Sequence, residues 1–332
     1  MLFIMSCDCN KKCLGPCLPH CNKKYLQIIM YYKEKYEKYK DKYLDLKNQF
    51  ENKIHYLIIT VGPTGSGKTK LITETTNLLK INNYVKILID DLIENDQTYK
   101  EKIVKIIKTV KENCDNKIKE CKENCDNEIK ECIEEKYKNP DMKLIKDFNK
   151  SYYASRKGES CMNIKDVSCD ELNDFKIKNT VSNKKNIVLE ITGETIPNWL
   201  FDYKFIPENY QVILSYSLVN FDNLIARNKS RLYDNIKKFE EDYYSPAPRL
   251  PEIRKKEFLN KCKIIKDNLI KLYECNNTKL LNNKCFKYDQ LLLFNNNTNM
   301  ELVFDSSIHT SEIFNEMIDT HFIVPNNINN LI

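Results

Sequence analysis

The chain has 332 residues, 53 Lys+Arg against 47 Asp+Glu, a formal net charge of +6, and 42% hydrophobic residues. That apolar content excludes a wholly disordered chain, and no stretch approaches the ~20 apolar residues of a membrane helix, which excludes a multi-span membrane protein. Lys and Glu alternate along most of the chain rather than forming a basic stripe, so nucleic-acid binding is only weakly supported.

There are 40 Asn and only three Ala (Ala154, Ala226, Ala247), the signature of AT-rich coding. Helix propensity therefore comes from Lys, Glu and Leu, and the Asn richness reads as compositional. Of six glycines, Gly62, Gly65 and Gly67 lie within six residues of each other, which implies a backbone reason for the cluster. Met1–Met5 is too short for the apolar core of a signal peptide and lacks a basic start. The expectation is a cytoplasmic, reducing compartment in which the fourteen cysteines are free thiols.

Residues 1–24 carry Cys7, Cys9, Cys13, Cys17 and Cys21 with His20, and Gly15, Pro16 and Pro19 argue against a regular helix. The spacing fits no paired zinc knuckle, so free thiols, a metal site and S-acylation all stay open. Over 25–53, Tyr25, Ile29, Tyr32, Tyr36, Tyr39, Tyr43, Leu46 and Phe50 recur at threes and fours. This predicts one amphipathic helix whose Tyr seam packs on its own domain or forms a coiled coil with a second chain.

A buried strand is predicted at 54–61, a helix from Lys68 to about Lys80, and a second strand at Tyr84–Ile89 ending in Asp90 and Asp91. Residues 97–150 read as charged helix with an 11-residue repeat, KENCDNKIKEC at 111–121 and KENCDNEIKEC at 122–132. Cys114, Ile118, Cys121, Cys125, Ile129 and Cys132 fall on one face, which predicts a solvated, nearly straight helical arm with a thin seam, or a metal site along it. Residues 151–183 are weakly periodic and read as a loop. Strands follow at Asn186–Ile191 and Tyr210–Tyr216, helices at 219–241 and 252–274, and a strand pair at Leu291–Phe294 and Glu301–Phe304. A short amphipathic helix lies in the tail, 311–332. Strands separated by helices imply an α/β fold with a parallel sheet, the P-loop domain covering 54–310 and holding an insert at 97–183.

Gly62-Pro63-Thr64-Gly65-Ser66-Gly67-Lys68-Thr69 is a complete G-x-x-x-x-G-K-[ST] sequence, with a buried strand before it and a helix after it. The glycines let successive N–H groups turn toward a triphosphate, and the helix start adds partial positive charge. Lys68 is expected at the β- and γ-phosphates and Thr69 at Mg²⁺, so ATP and Mg²⁺ are the expected cofactors. The guanine-reading N-K-x-D is not found. Asp90 and Asp91 end the strand that neighbours the loop in such sheets, where a carboxylate can take an acceptor's proton.

The loop GPTGSGKT, the strand ending ILIDD and the strand IVLEITGET together resemble the zeta-toxin kinases, relatives of polynucleotide and chloramphenicol kinases. The strand YQVILSYS, the segment NLIARNKSRLYDN, Ala247-Pro248-Arg249-Leu250-Pro251 and the hairpin LLLFNNNTNMELVFDSS follow in the family's order. The resemblance covers about 54–96 and 184–310, not the N-terminal helix or the insert. It implies a P-loop kinase with Asp91, or Asp90, as base, Lys68 and Arg249 neutralising the transferring group, and Glu190 and Thr192 at the substrate. Where the family has D-x-D, E-G-T and A-R-x-T-P, this chain has Asp90-Asp91, Glu190-Ile191-Thr192 and A-P-R-L-P, and Arg227 and Arg231 are alternative cations. The expected activity is γ-phosphate transfer to a hydroxyl of a small metabolite such as a sugar nucleotide. A polynucleotide or nucleoside kinase and a non-catalytic nucleotide-binding scaffold are the alternatives.

Overall fold

The computed structural model describes residues 31–33, 35–40, 42, 54–118, 125–158, 160–195, 207, 209–251, 254–277 and 288–325. The chain divides into two units, 1–53 and 54–332. In the first, the described residues are helical, and Tyr32, Tyr36 and Tyr39 are exposed. Tyr25, Ile29, Tyr43, Leu46 and Phe50 of the expected seam lie outside the described residues. Cys7–Cys21 and His20 lie outside the described residues.

The second unit is built on a six-stranded sheet in the order β2-β5-β1-β6-β7-β8. Its strands are β1 (His55–Val61), β2 (Val85–Ile87), β5 (Ile187–Ile191), β6 (Tyr210–Leu218), β7 (Gln290–Asn295) and β8 (Glu301–Asp305). All neighbours pair parallel except β7 and β8, the antiparallel hairpin at one edge. β1 is central, flanked by β5 and β6, and is apolar on both faces because both are covered. Alternate residues divide between two layers. Leu57, Ile59 and Val61 join one core with Leu189, Leu214, Ile265 and Leu269, whereas Ile58 joins the other with Leu71, Ile72, Val188 and Ile213. Helices α1 (Lys68–Leu78), α7 (Phe221–Glu241), α8 (Lys255–Asn277) and α9 (Ser311–His321) complete the sheet's surroundings. Phe314 and Ile318 of α9 belong to the first core, so the tail helix is integral to the unit. The fold is the expected α/β class, a mostly parallel sheet flanked by helices.

The insert departs from expectation in three ways. The repeat does not form one straight arm: α3 (Gln97–Ile118) and α4 (Cys125–Lys138) are separate helices, and Cys114 and Cys132 are joined by a disulfide. The arm is also not merely solvated. Tyr99, Ile103, Ile107, Val110, Tyr137, Leu144 and Phe148 form a core of their own with Leu232, Ile236 and Phe239 of α7. Finally, 151–183 is structured. Helix α5 (Met142–Arg156) is capped by Asp141, whose side chain accepts from Leu144 N, and α6 (Cys169–Ser182) opens on a Ser168/Glu171 capping box. Between them sits the hairpin β3 (Ser160–Cys161) and β4 (Ile164–Lys165), tied to the start of α6 by a Cys161–Cys169 disulfide. The expectation of free thiols fails at these four cysteines and at Cys275, also disulfide-bonded. Cys262 is a buried free thiol whose pKa burial pushes up to about 12. Among the described residues no group of three or more His, Cys, Asp or Glu could hold a metal, and no helix is long and apolar enough to cross a membrane.

Candidate active site

The loop after β1 has the backbone its glycines predict. Gly65 and Gly67 adopt φ +86° and +83°, in the region that favours glycine. A Cβ on Gly67 would meet Asn296 Nδ2 at 2.4 Å, and one on Gly65 would meet Asn228 Oδ1 at 2.6 Å. Gly67 is also the N-cap of α1, and it supplies no side-chain cap. No acidic residue stands in the first turn, so nothing on the helix itself competes for an anion there.

The loop is held from behind by residues with no place in the motif. Ser217 Oγ and Asn296 Nδ2 donate to the Ser66 carbonyl at 2.6 and 2.8 Å, and Asn228 Nδ2 donates to Thr64 O at 3.1 Å. Arg227 ties the loop to the β7–β8 turn by donating to Asn296 O at 2.7 Å and Gly65 O at 3.4 Å. The asparagine richness is thus not compositional everywhere. Asn228 and Asn296 are fixed points of the loop, and only the fold brings them there, from 164 and 230 residues away respectively.

Lys68 is buried. Its Nζ donates to Gly62 O at 2.9 Å and Pro63 O at 3.3 Å and lies 3.5 Å from Glu190 Oε1. Burial lowers its pKa, and the Glu190 carboxylate partly offsets that. Glu190 stands at the end of β5, paired in register with Thr60 of β1, which places it beside the loop.

Asp90 and Asp91 sit differently from expectation. The strand before them is shorter than predicted, and both fall in the first turn of α2 (Ile89–Asn95), where the helix dipole favours negative charge. Consecutive residues on a helix face different ways. Asp91 is the more exposed of the two, with Lys86 Nζ at 3.5 Å. Asp90 turns inward: its Oδ2 takes Arg249 Nη2 at 2.8 Å, and its Oδ1 accepts the Tyr152 hydroxyl at 2.7 Å. One turn on, Glu94 Oε1 accepts from Arg249 Nε, also at 2.8 Å. Arg249 is therefore gripped by two carboxylates four residues apart on one helix face. Its pKa is raised by Asp90 and Glu94 against the opposing effect of burial. Burial lifts the Glu94 carboxyl from an ordinary 4.5 to about 7, although Arg249 pulls the other way.

Gly65, Gly67, Lys68, Thr69, Asp90, Asp91, Glu94, Glu190, Arg227, Arg231 and Arg249 line one cavity of about 520 Å³. Thr192 does not join them. It lines a second cavity of about 310 Å³ with Thr64, Tyr152, Arg156, Glu194, Arg254 and Lys261. Arg249 lines both. Sequence reasoning missed Glu94, Tyr152 and Arg156. The i, i+4 spacing of Asp90 and Glu94 was a usable signal for the first. Nothing local marks the other two, which lie in the insert.

No family model matches the chain, and no curated protein matches it. Among solved structures, it is similar to one from the molecular and structural characterization of the PezAT chromosomal toxin-antitoxin system of the human pathogen Streptococcus pneumoniae. The two share 13% identity over 80% of this chain and 78% of that one, with a TM-score of 0.43. The chemistry of the site is therefore read from its own residues.

Proposed function

We propose that the protein is an ATP-dependent phosphotransferase of the P-loop kinase type, zeta-toxin-like, acting on an alcohol. The observation that carries this reading is the single cavity lined by the phosphate loop, Asp90, Glu190 and Arg249. The loop's N–H groups and the start of α1 bind the triphosphate, and Lys68 sits where the β- and γ-phosphates lie. The negative charge of the nucleotide supplies the partner that favours the ammonium form of a buried Lys68.

Thr69, Asp90, Asp91 and Glu190 offer hard oxygen donors in the same cavity, but no ready-made cage. That donor set fits Mg²⁺, which keeps much of its own water and binds through one or two protein groups and the phosphates. When bound, Mg²⁺ would neutralise charge on the β- and γ-phosphates.

Asp90, rather than the more exposed Asp91, is the carboxylate that accepts the proton of the acceptor hydroxyl. The acceptor oxygen then bonds to the γ-phosphorus as the bond to the β–γ bridging oxygen breaks, and ADP leaves with that electron pair. Arg249, fixed by Asp90 and Glu94, stabilises the charge in transit, with Arg227 and Arg231 beside it. The acceptor approaches from the second cavity, where Arg156, Arg249, Arg254 and Lys261 outnumber Glu194. An anionic hydroxyl compound such as a sugar nucleotide would bind there in exchange with the carboxylates that now pair with these cations, Asp170, Asp90, Glu94, Glu257 and Glu194. The same cations and the two tyrosines, Tyr152 and Tyr153, support a second reading as a polynucleotide or nucleoside kinase.

The deciding experiment is transfer of labelled γ-phosphate from ATP across a panel of metabolites and oligonucleotides. Lys68→Ala and Asp90→Asn serve as controls. Label should reach one acceptor class with the wild-type chain and fall at least ~100-fold with either variant. Full transfer by Lys68→Ala would remove the site assignment. Full transfer by Asp90→Asn together with loss in Asp91→Asn would move the base to Asp91.

A further inference from the structure

The insert supplies one residue that touches the proposed reacting centre. Tyr152 lies near the end of α5, its ring half-buried, edge-on to Tyr99 with centroids 6.4 Å apart and to Tyr153 at 5.7 Å. Its hydroxyl donates to Asp90 Oδ1 at 2.7 Å, the short distance of a bond to a charged acceptor. The neighbouring ring continues the same structure. Tyr99 OH donates to Pro248 O at 3.0 Å, the residue before Arg249, and Lys100 Nζ donates to Tyr243 O and Tyr244 O at 3.2 Å each. Ala247 N closes the segment by donating to Glu94 O at 2.7 Å. Residues of the insert thus touch both the Asp90 carboxylate and the stretch that carries Arg249.

An arginine and a carboxylate left to themselves favour a bidentate pair, two parallel N–H···O bonds that occupy both oxygens. Here Arg249 reaches Asp90 through Nη2 at Oδ2, its Nε donates to Glu94, and Asp90 Oδ1 accepts from Tyr152. Tyr152 lines the second cavity, from which an acceptor would come, while Asp90 lines the first.

We infer that Tyr152 is a positioning residue for the transfer reaction: it keeps the Asp90 carboxylate from closing onto Arg249 and presents Oδ1 to the acceptor hydroxyl. This rests on the kinase reading above. It assigns a part in the reaction to the 97–183 insert, a segment that the family resemblance does not cover.

The test is a double-mutant cycle on the full chain, with ATP turnover measured on the best acceptor of the panel and on water. Tyr152→Phe keeps the ring and removes only the hydroxyl. It should lower kcat about tenfold or more, with KM for ATP changed less than about twofold and the melting temperature nearly unmoved. In the Asp90→Asn background the same change should add less than about twofold, because there is no carboxylate left to position. An unchanged kcat in Tyr152→Phe overturns the inference and leaves the kinase reading standing. An equal loss in both backgrounds also overturns it, since a merely structural role would act regardless of Asp90. A wild-type chain that binds ATP but transfers phosphate to no acceptor, water included, sinks the kinase reading and this inference together.

Discussion

Burial, more than any neighbouring charge, raises the Glu94 carboxyl to about 7. An acid whose folded pKa lies above its unfolded value holds an extra proton in the native state between the two. Its contribution to stability is therefore complete below about 4.5 and is lost as pH rises through about 7. The loss over that window is on the order of 3 kcal/mol. Denaturant melts of wild type and Glu94→Gln should accordingly diverge between pH 5 and pH 8, with the variant showing the flatter profile. Parallel profiles would mean that Glu94 is ionised in the folded protein throughout. At the loop, Gly67→Ala would force a Cβ to 2.4 Å from Asn296 Nδ2 at a φ of +83°. A strained residue of this kind costs about 1–3 kcal/mol. The expected result is weaker ATP binding by calorimetry in a chain that still folds, because the strain falls on the loop and not on the sheet.

At the scale of elements, the insert is the part whose stability is most open to measurement. Phe148 is a fully buried member of its core, and Phe148→Ala should cost about 3–5 kcal/mol. Because α5 also carries Tyr152, that variant should lose turnover along with stability, unlike Tyr152→Phe. The Cys114–Cys132 disulfide joins α3 to α4 across 18 residues of chain. Closing a loop of that length restricts the unfolded chain enough to stabilise by about 3 kcal/mol. A reducing agent should lower the melting temperature of the wild-type chain and do so less in Cys114→Ser. Equal shifts in the two would place the redox sensitivity at another disulfide. The 11-residue repeat was legible as helix, yet silent on the disulfide that joins Cys114 of α3 to Cys132 of α4. Two nearly identical amphipathic units suit one straight helix and a packed pair equally well, and only the tertiary packing chooses between them.

In the whole molecule, the sheet order β2-β5-β1-β6 decides what can meet. It sets the carboxyl ends of three strands side by side, so that the loop after β1, the helix after β2 and Glu190 at the end of β5 share one cavity. If that cavity binds a nucleotide, ATP with Mg²⁺ at a hundred times its dissociation constant should stabilise the chain by about 2.7 kcal/mol. The melting temperature should rise accordingly, and Lys68→Ala should abolish the shift. A shift of equal size in that variant would put the nucleotide elsewhere.

By itself the sequence determined the α/β class, the strands of the main sheet, and the glycine-rich loop that ends in Lys68 and Thr69. Each of these is written in contiguous residues, as apolar runs with β-branched side chains, helical periodicity, or glycines at fixed offsets. Only the tertiary structure decided that Asp90 faces inward and Asp91 is the more exposed, that Glu94 joins Asp90 on Arg249, and that Tyr152 reaches them from an insert that read as a loop at that point. Those contacts span from 62 to 159 residues of chain, and each depends on which of several compatible packings the core adopts. Local spacing carries no record of that choice.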